Sequence, residues 1–140
     1  MAHWMRGLER LGGKWGTQIG DHTPFASDSY TRTRIYVGTG AELWLLGWMP
    51  GQGSTVHDHG GVDVAYVVLA GALEEEVFVA DDAGRAHVIA ARRVTVGGVV
   101  ACDGYAIHRV RVVGSTPLVT VHLFAPRYVG GRDFEPAEQP

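Results

Sequence analysis

Twenty glycines cut this chain of 140 residues into short runs rich in valine, isoleucine, threonine and tyrosine. Side chains of that kind suit a pleated, half-buried surface, and clusters of glycine mark the turns between strands. Many short strands with tight turns imply an all-β sandwich or barrel. At this length the chain forms one domain, large enough to bury a core without disulfides or a structural zinc. No internal repeat or linker divides it.

Taken in order, residues 3–12 have the makings of a short helix closed by Gly12-Gly13, and 14–29 read as an irregular lead-in. Tyr30–Val37 alternates polar and apolar residues, as a half-buried strand does. Thr39-Gly40 turns it into an apolar strand, Glu42–Met49, stopped by Pro50-Gly51. Val64–Leu69 is a continuous apolar run, hence a buried strand, and Gly71 ends it. Leu73–Val79 follows with three glutamates on a strand with one wet face, and Asp81-Asp82-Ala83-Gly84 makes a hairpin turn. His87–Ala90 and Arg92–Val96 are expected as two short strands, then Ile107–Val113 and Leu118–Phe124 as a last pair. The tail from Pro126 is expected to pack loosely. The division is therefore a lead-in over 1–29 packing on the barrel, a barrel over 30–126 and a tail over 127–140.

Composition closes off several classes of function. The net charge is −3 with both signs mixed along the chain, so no basic stripe is present for nucleic acid. One cysteine, Cys102, excludes an internal disulfide framework and a paired-cysteine metal site. The N-terminal stretch lacks the apolar core of a signal peptide, and no run reaches membrane-spanning length. A cytoplasmic location, with no membrane partner, is the expectation.

The chemistry gathers at Gly51-Gln-Gly-Ser-Thr-Val-His57-Asp-His59. In an extended chain residues two apart point to the same face, so both imidazoles can reach one ion. The spacing of Gly51, His57, His59, Val64 and Gly71 resembles the first cupin motif, with valine where a glutamate ligand usually stands. Gly97 and His108 match the glycine and histidine of the second cupin motif, whereas Asp103, Tyr105 and Val112 replace its other residues. The resemblance implies a single cupin (jelly-roll) β-barrel with a short N-terminal helical segment, and His57, His59 and His108 as metal ligands. Three neutral imidazoles leave the charge of a divalent ion uncompensated, which favours an anionic substrate such as a thiolate or carboxylate. Imidazole suits iron, zinc, copper and nickel alike, so the ligands do not choose the metal. Asp63 neighbours Val64 along the strand and should face away from the site, while His3, His22 and His87 read as surface residues.

A narrower resemblance runs in order from residue 30 to residue 126. The stretches Tyr30-Thr-Arg32, Trp48 with Gly51–His59, Ile107-His108-Arg109-Val110, and Thr120-Val-His122-Leu-Phe124-Ala-Pro126 are similar to those of the cysteine dioxygenase family of thiol dioxygenases. The resemblance implies Fe(II) on the three histidines and a small thiol carboxylate as substrate with O2. Arg32 would clamp the carboxylate, Tyr30 would support it, and His122 would hydrogen-bond near the open metal positions. Val64 and Phe124 would border the substrate where animal members carry a cysteine and a tyrosine joined covalently. The implied function is a mononuclear non-haem iron(II) thiol dioxygenase that makes a sulfinic acid from a cysteine- or 3-mercaptopropionate-like thiol, as a monomer or homodimer. Two other readings stay open. One is an iron cupin oxygenase acting on a different small acid in a biosynthetic pathway. The other is a non-enzymatic cupin that binds a metal or ligand.

Overall fold

The computed structural model of the chain describes residues 2–138. It opens with a helical segment: α1 (Ala2–Arg10), a π-helical turn (Leu11–Trp15) and α2 (Gly16–Asp21). Nine strands follow: β1 (Thr31–Val37), β2 (Glu42–Trp48), β3 (Asp63–Ala70), β4 (Leu73–Ala80), β5 (Arg85–Val94), β6 (Val99–Cys102), β7 (Ile107–Val112), β8 (Leu118–Ala125) and β9 (Glu135–Pro136). One sheet has the order β1-β2-β8-β3-β6 and the other β7-β4-β5-β9. All pairs are antiparallel except β5 with β9. The two sheets form the jelly-roll barrel of a cupin.

Two separate cores explain why the central strands read as unbroken apolar runs. Leu46, Trp48, Tyr66, Val68, Leu73, Val110 and Leu118 fill the space between the sheets. The alternate residues of the same strands, among them Leu45, Ala65, Val67, Leu69, Val119, Val121 and Leu123, point to the outer face and pack under Leu8 with Met5, Leu11 and Ile19. A strand covered on both sides has no wet face, so its pattern loses the period of two.

The helical segment differs from expectation. It passes through Gly12-Gly13 and continues to Asp21, leaving an irregular stretch only after that. A Cβ on Gly12 would lie 2.8 Å from Val67 Cγ2. Here the glycine lets the helical turn approach the sheet, and burial outweighs glycine's poor helix propensity. The side chain of His3 lies outside the described residues, as do residues 139 and 140 of the tail.

Four other expectations need correction. Residues 87–94 belong to one long strand, whose bulge opposite Val77 and Phe78 leaves Ile89 exposed. Strand β6 was not anticipated; four residues after a glycine turn carry little periodicity of their own, and pairing with β3 defines them. Strand β1 is an exposed edge rather than half-buried, because the helical segment lies over β3 and β6 instead. On β4, Glu75 and Glu76 are buried, so the wet face is narrower than three glutamates suggest. Arg109 and Arg111 cover Glu76 from the neighbouring strand.

The tail is also better packed than expected. The Tyr128 amide donates to the Glu42 carboxylate, the Asp58 amide donates to the Arg132 carbonyl and the Arg132 amide to the Asp58 carboxylate, and the Phe134 amide donates to the Val56 carbonyl. These contacts draw residues 128–134 across one end of the barrel, beside the histidine loop.

Candidate metal centre

The loop before β3 and the start of β7 bring three histidines together. His57 and His108 exchange a pair of backbone hydrogen bonds, at 3.0 and 2.9 Å, which sets their side chains on one face. The His59 amide donates to the Gly104 carbonyl, which lies four residues before His108. Beyond His59 the chain reverses through Gly60 (φ +63°) and Gly61 (φ +86°), closed by a bond from the Val62 amide to the His59 carbonyl. Two successive positive φ values make a turn that glycine adopts without strain. These contacts leave His59 at the strand mouth rather than inside the core.

The three rings form a nearly equilateral triangle, with centroids 4.8 to 4.9 Å apart and ring planes inclined by 58° to 82°. Their ligand nitrogens all lie within 4.8 Å of one another. His57 Nδ1 faces the Thr55 carbonyl at 2.8 Å and must donate to it, since a carbonyl only accepts. His108 Nδ1 donates in the same way to the Glu75 carboxylate at 3.1 Å. In both rings Nε2 is left as the free lone pair. His59 Nδ1 is buried without a partner. Burial and the neighbouring imidazoles lower the pKa of His57, and hold that of His59 at about 2. Three imidazoles close together and not bonded to one another, two of them kept neutral at pH 7 by burial, fit a divalent cation.

The triangle forms part of the wall of a cavity of about 280 Å³. Tyr30, Arg32, His122 and Phe124, singled out from the sequence, line that cavity with it. Arg32 is exposed at its edge and makes no ion pair among the described residues. Tyr30 stacks on Trp48 with ring centroids 4.2 Å apart. Val64 is wholly buried behind the cavity, packed with Phe124 and Val62. Asp63 turns away, accepting a bond from the Gly104 amide. Asp103 forms the turn before β7 by accepting from the Tyr105 amide, and Tyr105 is exposed. His22 and His87 are exposed, the latter paired with Asp81 at 2.7 Å.

His122 is both a core residue and a wall residue. The Trp48 indole donates to the Thr120 hydroxyl at 3.1 Å, and that hydroxyl lies 3.3 Å from His122 Nδ1. A hydroxyl has two lone pairs and one proton, so the tautomer of His122 sets which of the two donates in that bond. Burial, with help from His108 and His57, lowers the His122 pKa to about 3. The ring is therefore neutral.

Three residues of the site escaped the sequence reading. Tyr128 reaches back from the tail to stack on Phe124 at 4.8 Å and to meet His59 edge-on at 5.9 Å. No signal in a tail of glycine, proline and charge marks it. Tyr66 and Glu75 form a buried pair at 2.7 Å next to His108. A signal did exist for Glu75: it alternates with Leu73 and Val77 on β4, which places it on the inward face.

Comparison with known proteins gives a consistent picture. The family model of cysteine dioxygenase type I matches residues 15–136. Cysteine dioxygenase type 1 of Danio rerio is 32% identical over 112 residues, covering 76% of this chain and 56% of that protein. The human protein of the same name is 31% identical over 117 residues, covering 80% and 58%. The chain thus spans little more than half the length of these curated relatives. A Klebsiella pneumoniae protein with a double-stranded β-helix domain superposes with a TM-score of 0.69 at 15% identity, covering 84% of this chain and 88% of that one. An oxalate oxidase bound to glycolate superposes at 0.63 and 21% identity, covering 77% and 56%. At such identities these two structures speak for the fold.

Proposed function

We propose, given that this chain belongs to the cysteine dioxygenase type I family, that it is a mononuclear non-haem iron(II) thiol dioxygenase acting on a small thiol carboxylic acid. The observation that carries this reading is the triangle of imidazoles opening on the same cavity as an arginine with no ion pair among the described residues. His57, His59 and His108 would hold the ion. Bound there, iron(II) would supply the redox chemistry by which both atoms of O2 are added to sulfur, turning RSH and O2 into RSO2H.

The chain's own residues do the rest. The planar guanidinium of Arg32 takes the substrate carboxylate by two parallel hydrogen bonds, which fixes the reach of the thiol into the cavity. The Tyr30 ring, held flat against Trp48, forms the wall beside it. His122 in the tautomer with its proton on Nε2 would offer a donor from the wall of the cavity, and its depressed pKa keeps it from taking up a second proton at neutral pH. Phe124 gives that wall an apolar ring where the family has a phenol, and Tyr128 stacked on it supplies a phenol from the tail. Tyr128 and Asp133 of the tail complete the lining of the cavity.

A second reading rests on Phe124: with an apolar ring at that place, the substrate would be a different small acid, oxidised at carbon rather than sulfur. Oxygen uptake by anaerobically iron-reconstituted protein tests both readings against cysteine, 3-mercaptopropionate, mercaptosuccinate and cysteamine, with mass spectrometry of the products. A gain of two oxygen atoms on one thiol acid supports the first reading. Iron bound with no uptake across the panel rejects it, leaving the second reading or a non-enzymatic metal-binding role.

A further inference from the structure

Glu75 has no part in the substrate cavity, yet it is among the most deeply buried charged residues of the barrel. It lies on the inner face of β4, beside Arg92 on β5 and diagonally across from His108 on β7. One oxygen accepts the Tyr66 hydroxyl at 2.7 Å and the His108 Nδ1 proton at 3.1 Å. The other accepts two bonds from the Arg92 guanidinium, at 3.0 and 2.7 Å. Both oxygens accept, and two of the bonds come from a guanidinium, so Glu75 is a carboxylate anion.

A buried ion pair is costly to form and is a poor source of stability in itself. Arg92 is half-exposed and does not need a buried partner. The carboxylate makes better sense through what it does to His108. An imidazole that donates Nδ1–H to a carboxylate is fixed in one tautomer and one orientation, and its Nε2 becomes a stronger donor to a metal. The other two histidines lack this support: His57 has only a neutral carbonyl behind it, and His59 has nothing. Val64, at the place of the cupin glutamate ligand, contributes no charge.

We propose that Glu75 is the positioning residue of the metal centre, orienting His108 and placing behind it the negative charge that the three neutral ligands lack. Tyr66 and Arg92 hold the carboxylate in place. Cys102 donates to the same Glu75 oxygen as Tyr66, at 3.9 Å, and adds a weak contact to that seat. The inference rests on the three-histidine reading above.

Cobalt(II) is the probe, titrated into the metal-free full chain and followed by its d–d absorption and by competition with a chelator. Glu75→Gln keeps the shape and removes the charge; it should weaken cobalt binding by about 10- to 100-fold and move the absorption bands. Tyr66→Phe leaves the charge but loosens its seat, and should weaken binding to a smaller degree. A second measurement uses the unmutated chain and so does not depend on either variant folding. In zinc-loaded protein with 15N-labelled histidine, the His108 Nδ1 proton should be present and slow to exchange, with the metal on Nε2. Equal cobalt affinity and unchanged bands in Glu75→Gln, or a metal on His108 Nδ1, overturns the inference alone. An unmutated chain that binds no cobalt overturns the three-histidine reading, and the inference with it.

Discussion

Arg32 stands at the cavity edge without an anionic partner among the described residues, on a strand whose other arginine, Arg34, leans over Trp44 and towards Glu42. A guanidinium free to form two charge-assisted bonds loses them both on truncation. Arg32→Ala should raise KM for an acidic thiol by about 10- to 100-fold, while leaving cysteamine, which has no carboxylate, nearly unaffected. Steady-state kinetics on both thiols decide it, and parallel increases would argue against a carboxylate clamp. His122 and His59 make a prediction about stability. Their folded pKa values are depressed to about 3 and about 2, against 6.5 for the free side chain, because burial disfavours the charged ring. As pH falls through about 6.5 the unfolded chain takes up protons that the folded chain refuses, so the metal-free protein loses stability with falling pH down to about 3. The slope should approach ~1.4 kcal/mol per pH unit for each such ring. Urea melts of chelator-treated protein at pH 7.5, 6 and 5 should show the decline, and His122→Gln should make it shallower. A flat profile would contradict the buried, neutral assignment.

Between α1 and α2 two adjacent glycines sit in the same π-helical turn yet have different surroundings. A side chain on Gly12 meets the stiff, β-branched Val67, whereas one on Gly13 meets nothing within 4 Å. Gly13→Ala should therefore stabilise the fold by up to ~1 kcal/mol, through the lower entropy cost of alanine in a helix. Gly12→Ala should destabilise it, because Val67 or the helical turn must shift. Thermal melts of the two variants should move in opposite directions, by about 2–4 °C per kcal/mol at this size. A sequence reader sees two equivalent helix breakers here. Only the packing partner separates them.

The molecule depends on its two ends more than a barrel with a lead-in and a tail would suggest. The helical segment covers the outer residues of β3 and β8, and Leu8 is as buried as the barrel interior. Deletion of residues 2–21 should expose a continuous apolar face and give a chain that aggregates on expression; a soluble, monodisperse product by size exclusion would show that face to be dispensable. The strand texture, the turns and the His-x-His loop are local patterns, so most of the barrel and the three candidate histidines could be picked out from the chain. His108 was legible because it begins an apolar strand at a motif spacing from Gly97, and Arg32 because it follows Tyr30 at the interval the family uses. Tyr128 was not, since nothing local directs a tail residue onto Phe124, and Glu75 was taken for part of a wet face. Their placement depends on a contact across 33 residues for Glu75 with His108 and across 86 for the Tyr128 amide with Glu42. The sequence by itself determined the β-barrel class and singled out the three candidate histidines, because periodicity, turn chemistry and residue spacing are short-range properties of the chain. The tertiary structure alone decided that Glu75 lies behind His108 and that Tyr128 lines the cavity, because charge pairing and ring stacking of this kind arise only when distant segments meet.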